Sequence, residues 1–198
     1  MKTVLLVLSF LAASVSYASI EVGKAAPNFT EKDQEGKTHS LKDFKGQWLV
    51  LEWFNEGCPY VKKHYESNNM QKLQKMFTGK GVKWLTVATS AKGKQGYVAP
   101  ADAKAQIKRS KMQSTALLLD ADGTMGKSYG AKTTPHMFII NPQGKVAYAG
   151  AIDSNNSANP ATIKSSTNYV ADALNAALAG KSIKTAATKP YGCSVKYK

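Results

Sequence analysis

Arginine is nearly absent from this sequence, and cysteine is scarce. The 198-residue chain has a formal net charge of +14, yet Arg109 is its one arginine and lysine supplies the rest of its 27 basic residues. Phosphate and base recognition favours the planar guanidinium group of arginine, and the lysines are spread along the chain without a series of stacking aromatic residues. We therefore expect a solvated basic surface and no nucleic-acid partner, with attraction to anionic envelope surfaces as the alternative.

Long apolar runs are also missing after residue 18, although a membrane-spanning helix needs about 20 apolar residues. The first eighteen residues combine a basic start at Lys2, an apolar run from Val4 to Ala13, and small residues at Ser16 and Ala18. This pattern is typical of a signal peptide cut after Ala18, and a membrane anchor is the alternative. It predicts a periplasmic or secreted protein with no stable membrane insertion, in surroundings that oxidise thiols.

The apolar patterns predict an α/β fold. Five strands are predicted, at Trp48–Trp53, Val82–Ala88, Thr115–Leu119, Met137–Ile140 and Lys145–Gly150. Helices are predicted at Cys58–Phe77, Ala103–Lys111 and Ala161–Ala179. With an N-terminal β-hairpin around residues 34–36, this order predicts a mixed central sheet flanked by helices. We expect one domain over residues 19–180 and a C-terminal tail, residues 181–198, that carries Cys193.

Cys58 stands where a predicted strand gives way to a predicted helix. Proline is favoured at the first position inside a helix, so Pro59 makes Cys58 the N-cap residue. The sulfur then lies at the positive end of the helix, with Lys62 and Lys63 close behind it. These features stabilise a thiolate and lower the cysteine pKa, which predicts a nucleophile. A packed, inert cysteine is the alternative.

Three stretches around this cysteine carry a resemblance to a known family. APNFTEKDQEGKTHSLKDFKG, WLVLEWFNEGCPYV and YGAKTTPHMFIINPQGK follow one another in this order. The layout resembles the thioredoxin-fold redoxins, in particular the peroxiredoxin-like branch of the alkyl hydroperoxide reductase and thiol-specific antioxidant (AhpC/TSA) family. The resemblance covers about residues 20–180 and implies a thioredoxin-like fold. It also implies that Cys58 matches the first cysteine of the C-x-x-C motif, whose second position holds Val61.

The same resemblance assigns roles near the third stretch. Thr134-Pro135 matches the thioredoxin cis-proline position, which implies that the backbone of Thr134 docks an extended substrate segment. An ordinary trans proline that opens a strand is the alternative. His136 follows directly, and it either tunes Cys58 or faces solvent.

The chain also departs from the peroxiredoxin signature. Leu51 and Asn55 occupy the positions where proline and Ser/Thr are expected, so Asn55 is a second residue that could tune Cys58. Arg109 lies far in sequence from the strand beside which the peroxide-orienting arginine of the family falls. These departures predict slower thiol chemistry than that of an efficient peroxidase.

Because Val61 cannot act as a second thiol, the partner sulfur must come from elsewhere. Cys193 is the other cysteine, and it lies next to Gly192 in a segment that we expect to be flexible. From Gly180 the chain can extend about 3.3 Å per residue, enough to cross a domain of this size. An exported chain with two cysteines tends to pair them, which predicts resolution by Cys193 within one chain. A free Cys193, or one paired with another molecule, is the alternative.

These observations favour an exported thiol-dependent oxidoreductase that needs no cofactor. Cys58 would attack a peroxide or a protein or small-molecule disulfide, Cys193 would release the product, and an unidentified thiol reductant would restore both thiols. One alternative is a redox-inert binding domain with a structural Cys58–Cys193 disulfide. The other is a copper carrier that uses Cys58, His64, His136 and Cys193, although no metal is expected.

Overall fold

A five-stranded mixed sheet forms the centre of the protein. The structure, a computed structural model, describes residues 20–198, so the predicted signal peptide lies outside the described residues. The strands are β1 (Thr30–Lys32), β2 (Thr38–Ser40), β3 (Leu49–Trp53), β4 (Lys83–Ala88), β5 (Ala116–Leu119), β6 (Thr133–Thr134), β7 (His136–Ile140), β8 (Val146–Gly150) and β9 (Cys193–Ser194). The α-helices are α1 (Pro59–Glu66), α2 (Asn69–Thr78), α3 (Ala103–Ser110), α4 (Thr124–Ser128) and α5 (Tyr169–Leu178). Among residues 20–198, no helix is both long and apolar enough to cross a membrane.

The central sheet has the strand order β5-β4-β3-β7-β8. Strands β3, β4 and β5 run parallel, whereas β7 is antiparallel to both β3 and β8. All five correspond to predicted strands, and β1 and β2 form the predicted N-terminal hairpin. The prediction of a mixed α/β sheet is therefore confirmed.

Apolar side chains cover both faces of this sheet. Strand β3 alternates between the two faces: Val50 belongs to the core that includes α1, α2 and α5, and Leu51 belongs to the core on the opposite face. All five residues of β3 are buried, as expected for a central strand covered on both sides. This strand leads directly into the loop that carries Cys58.

Two of the predicted helices are interrupted. The predicted helix Cys58–Phe77 divides into α1 and α2 at Asn68, whose φ of 57° is left-handed. Asparagine tolerates that conformation better than most residues, and it ends the first helix. The predicted helix Ala161–Ala179 divides into a 3-10 helix, Pro160–Ser165, and α5, whose N-cap Asn168 accepts a hydrogen bond from the Ala171 amide. Helix α3 confirms the remaining helix prediction within a residue.

A buried carboxyl group fastens α1 and α2 to the sheet. The Tyr65 hydroxyl of α1 donates to Glu52 Oε1 at 2.8 Å, and Gln74 Nε2 of α2 donates to Glu52 Oε2 at 2.9 Å. Trp84 Nε1 on β4 donates to the same oxygen at 2.8 Å. Burial raises the pKa of Glu52, while these hydrogen bonds oppose that rise. The network fixes α1, and therefore its N-terminus, relative to β3 and β4.

The C-terminal segment, residues 181–198, is held against the domain, whereas the sequence predicts a flexible tail. The Thr188 amide donates to the Ala149 carbonyl at 3.1 Å, which covers the edge of β8. Beyond β9, Val195 is buried and the Ala91 amide donates to the Lys196 carbonyl at 2.9 Å. The segment is ordered by backbone hydrogen bonds to strand edges and loops, which apolar periodicity cannot reveal.

Candidate active site

The loop between β3 and α1 presents Cys58, and Asn55 closes it. The Cys58 amide donates to the Asn55 carbonyl at 3.0 Å, and Asn55 Oδ1 accepts from the Gly57 amide at 2.9 Å. Asn55 Nδ2 donates to the Gln95 carbonyl at 3.2 Å, so the buried amide also ties this loop to a second one. Asn55 therefore shapes the turn before the cysteine.

Cys58 is the N-cap residue of α1, and Pro59 opens the helix, as predicted. The sulfur is buried, with no exposed surface. In the thiol form, Cys58 Sγ donates to the Thr134 carbonyl oxygen at 3.0 Å, across 76 residues of sequence. The structure thus brings together the cysteine and the residue that the resemblance assigns to substrate docking.

The pKa of the Cys58 thiol is lowered by its neighbours. Burial alone would raise this pKa, but hydrogen bonds from the Cys193 and Thr134 side chains and from the amides of Cys193 and Val61 lower it further than burial raises it. The Val61 amide contributes because Cys58 caps the helix. These donors favour the thiolate, which is the form that attacks sulfur or oxygen.

Cys193 lies beside Cys58, although 134 residues separate them in the sequence. Its strand, β9, pairs antiparallel with β6, and in that register Cys193 is opposite Thr134. Both cysteines are free thiols in this structure. Burial, the hydrogen bond to Cys58 and the negative charge of Cys58 raise the pKa of Cys193 to about 11. Cys58 is therefore favoured as the thiolate, and Cys193 is favoured as the protonated thiol.

The predicted docking residues stand directly against this pair. The Thr134-Pro135 peptide is cis, as the resemblance implies. The Thr134 side chain is buried, and its Oγ1 lies 3.5 Å from the Cys193 carbonyl oxygen. Among residues 20–198, β9 is the only strand paired with β6, so the C-terminal segment occupies the backbone edge of Thr134.

His136 is buried, so the expectation that it faces solvent is wrong. Its Nδ1 accepts a hydrogen bond from the Lys132 amide at 3.3 Å, and the centroid of its ring lies 4.4 Å from the centroid of the Phe138 ring. Burial, with the nearby charge of Lys132, lowers the pKa of His136 to about 3. His136 is therefore a buried residue of β7 that favours the neutral ring, and its tuning of Cys58 stays a prediction.

A buried polar group, which we call the anchor cluster, holds the chain just before Cys193. It consists of Lys63, His64, Asp153 and Tyr191. Lys63 Nζ lies 3.0 Å from Asp153 Oδ2, and the Tyr191 hydroxyl donates to Asp153 Oδ1. His64 Nε2 lies 3.3 Å from the same hydroxyl, and burial lowers the pKa of His64 to about 4. Burial also raises the pKa of Tyr191, which keeps its hydroxyl protonated as a donor.

The sequence does not predict the anchor cluster. Lys63 reads as one of several surface lysines, yet it is 1% exposed. Its partner Asp153 is 90 residues away in the chain, and Tyr191 is 38 residues beyond Asp153. No local pattern signals such contacts, although an inward-facing charged residue on a helix normally requires a partner.

Arg109 lies outside this centre. The Arg109 guanidinium lies 3.4 Å from Glu56 Oε2, at the exposed rim of the loop that precedes Cys58.

Within the described residues, three carboxyl groups lie close enough together to hold a metal ion: those of Glu31, Asp120 and Asp122. Burial and the two aspartates raise the pKa of Glu31 to about 7. The four residues named for a copper site do not form such a group in residues 20–198.

Comparisons with known proteins agree with this architecture. The AhpC/TSA family model matches residues 22–149. The thiol-disulfide oxidoreductase ResA of Bacillus thuringiensis subsp. konkukian (strain 97-27) is 31% identical over 129 residues, which cover 64% of this chain and 68% of that protein.

Two solved structures are similar in fold. An uncharacterized conserved protein from Geobacillus kaustophilus has a TM-score of 0.76 and 25% identity, covering 90% of this chain and 93% of that one. The thioredoxin domain of a thiol-disulfide oxidoreductase from Bacteroides vulgatus has a TM-score of 0.54 and 25% identity, covering 74% and 98% of the two chains.

The fold and the site define an oxidoreductase of the thioredoxin-like class, with a cysteine at a helix N-terminus beside a cis-proline. The chain belongs to the AhpC/TSA family. The resemblance recognised in the sequence is therefore confirmed.

Proposed function

We propose that this protein is an exported thiol-disulfide oxidoreductase in which Cys58 and Cys193 form a redox pair within one chain. One observation carries the proposal: β9 places Cys193 opposite Thr134, whose carbonyl oxygen accepts the hydrogen bond from Cys58 Sγ at 3.0 Å. Relatives described as thiol-disulfide oxidoreductases support a disulfide as the substrate. The anchor cluster supports a fixed position for Cys193, because Tyr191 is two residues away.

The reaction consists of two exchanges. The Cys58 thiolate attacks one sulfur of a substrate disulfide, forms a mixed disulfide and releases the other substrate sulfur as a thiolate that takes up a proton. Cys193 then attacks Cys58 Sγ, forms the Cys58–Cys193 disulfide and releases the second substrate thiol. The substrate gains two electrons and the enzyme loses two. A thiol reductant reverses both steps on the enzyme and is itself oxidised.

The opposite pKa shifts of the two cysteines suit this order. Cys58 is favoured as a thiolate, so it attacks first. The negative charge on Cys58 contributes to the raised pKa of Cys193, together with burial and the hydrogen bond between the two side chains. Once Cys58 is in a mixed disulfide, that charge has gone and the pKa of Cys193 falls. Formation of the intermediate thereby activates the thiol that resolves it.

Peroxide is a second candidate oxidant, favoured by the complete burial of Cys58, which a small molecule reaches more readily than a protein does. The Cys58 thiolate would attack one peroxide oxygen, break the O–O bond and become a sulfenic acid, while the other oxygen leaves as alcohol or water. Cys193 would then attack the sulfenic sulfur and release water. Both oxidants lead to the same intramolecular disulfide.

Trapping the intermediate tests the redox pair. Reduced parental protein, Cys193→Ser and Cys58→Ser are each mixed with a slight excess of hydroxyethyl disulfide or hydrogen peroxide, and the products are mapped by mass spectrometry. We expect a Cys58–Cys193 link in the parental protein, a stable Cys58 adduct or sulfenic acid in Cys193→Ser, and no reaction at residue 58 in Cys58→Ser. If Cys193→Ser turns over at the parental rate with no trapped species, an external thiol resolves Cys58 instead.

Export rests on the pattern of the first eighteen residues and needs its own test. The full chain is expressed in a Gram-negative host, and the cells are fractionated. We expect the product in the periplasm, with an N-terminus at Ser19. Uncut protein that remains in the cytosol would contradict export.

A further inference from the structure

The edge of β6 is already occupied by the protein itself. Strand β9 pairs with it through Thr133 opposite Ser194 and Thr134 opposite Cys193. An extended polypeptide that delivers a disulfide to Cys58 would pair with this same backbone edge, as strands generally do. The C-terminal segment therefore lies where such a substrate has to bind. This step rests on the proposed function, in which Cys58 attacks a substrate disulfide.

The contact at this edge is unusually close, and it requires glycine. A Cβ atom on Gly192 would lie 2.1 Å from the Thr134 carbonyl oxygen and 2.8 Å from the Thr134 carbonyl carbon. The φ of Gly192 is +134°, a conformation that other residues rarely adopt. The chain thus passes directly over Thr134, and Cys58 beneath it has no exposed surface.

The residues on either side of β9 are fastened by separable contacts. Upstream, the Tyr191 hydroxyl donates to Asp153. Downstream, the Val195 amide donates to the Lys132 carbonyl at 3.1 Å, and the Tyr197 hydroxyl donates to the Ala131 carbonyl at 2.7 Å. Because the upstream and downstream contacts share no residue, the downstream contacts can open while the anchor cluster stays closed.

We propose that β9 is a gate that sets the substrate class of Cys58. While β9 is paired with β6, a small disulfide or peroxide needs only a local opening to reach the sulfur. An extended polypeptide disulfide needs the whole edge of β6, so it reacts only when β9 has withdrawn. The reduced enzyme is therefore selective for small oxidants, and polypeptides become substrates to the extent that the gate opens.

Two matched probes separate these classes of substrate. One is cysteine and the other is a ten-residue unstructured peptide with a single central cysteine, each joined by a disulfide to nitrothiobenzoate. The leaving group is the same in both, so the ratio of their rate constants reports access. The first turnover of the reduced full chain is followed by release of the coloured thiol.

Gly192→Ala is the opening variant, because its Cβ would clash with Thr134. Gly180→Ala is the control, since Gly180 also has a positive φ, of +69°, but nothing lies within 4 Å of its added Cβ. We expect Gly192→Ala to raise the peptide-to-cysteine rate ratio by about tenfold, equivalent to about 1.4 kcal/mol, and Gly180→Ala to leave it unchanged. Val195→Ala, which removes buried packing after β9, should shift the ratio in the same direction.

The outcomes distinguish failure of the gate from failure of the proposed function. If parental Cys58 reacts with both probes and neither Gly192→Ala nor Val195→Ala changes the ratio, β9 is not a gate, although the proposed function stands. A parental ratio near one would also overturn the gate. If parental Cys58 reacts with neither probe, the proposed function fails, and the gate fails with it.

Discussion

At the scale of single residues, the chemistry depends on how Cys193 and its neighbours change the acidity of Cys58. Burial opposes the thiolate, and the Cys193 side chain is the leading contributor that lowers the pKa against it. We expect the pH midpoint of Cys58 alkylation to lie below about 8.5, the ordinary pKa of a cysteine. Reactivity should be lost as the pH falls through that lowered pKa, because the thiolate becomes protonated. Mass-resolved alkylation against pH measures the midpoint at Cys58 alone.

Two substitutions of one residue sharpen this prediction. Cys193→Ala removes the side-chain donor, whereas Cys193→Ser keeps a hydroxyl donor at the same place. We expect the Cys58 midpoint to rise more in the alanine variant than in the serine variant. A parental midpoint at or above about 8.5, or identical midpoints in all three proteins, would show that Cys193 does not stabilise the thiolate.

At the scale of elements, the anchor cluster explains how a C-terminal segment without helices holds Cys193 in place. Tyr191→Phe removes the hydroxyl that donates to the buried Asp153 carboxylate. Hydrogen bonds to charged groups contribute about 1.5–3 kcal/mol, so the unfolding free energy of the reduced protein should fall by about that amount. The Cys58 mixed disulfide should also persist longer, because Cys193 is less well positioned.

Tyr197→Phe is the matched control on the other side of Cys193. Its hydroxyl donates to the uncharged Ala131 carbonyl, a bond worth about 0.5–1.5 kcal/mol. Urea unfolding should therefore rank Tyr191→Phe as the less stable variant. The opposite ranking would mean that the Tyr191–Asp153 contact does not anchor the segment.

At the scale of the whole molecule, two buried neutral histidines make stability depend on pH. The pKa is lowered to about 4 for His64 and to about 3 for His136. Below pH 6.5 the unfolded chain binds protons at both rings that the folded protein does not, so the two rings contribute a loss of stability as the pH falls from about 6.5 towards 4. Glu31, whose pKa is raised to about 7, contributes a gain of stability as the pH falls from about 7 towards 4.5. The expected slope is about 1.4 kcal/mol per pH unit for each ring.

His136→Leu tests this prediction, because it removes one of the two titrating rings without adding a charge. The variant should lose less stability than the parental protein between pH 7 and pH 4, as followed by urea unfolding. Equal losses in the two proteins would mean that His136 is protonated in the folded state.

The sequence predicts the local part of the site better than the long-range part. The buried run of β3, Pro59 after Cys58 and the cis-proline resemblance are local signals, and the structure agrees with each. The position of Cys193 depends on a two-residue strand and on a cluster whose members are far apart in the chain. Such contacts form only when the complete fold brings strand edges and buried charges together, so propensity and periodicity do not reveal them.

The most direct test of the central claim is a redox titration of the Cys58–Cys193 pair. The protein is equilibrated in glutathione buffers of increasing oxidation, quenched with acid and alkylated, and the linked peptides are quantified by mass spectrometry. We predict one intramolecular Cys58–Cys193 disulfide with a reduction potential above about −300 mV, so that glutathione reduces it reversibly. A bond that resists reduction throughout this range would be a structural link, and the absence of a Cys58–Cys193 peptide would show that the two cysteines are not a redox pair.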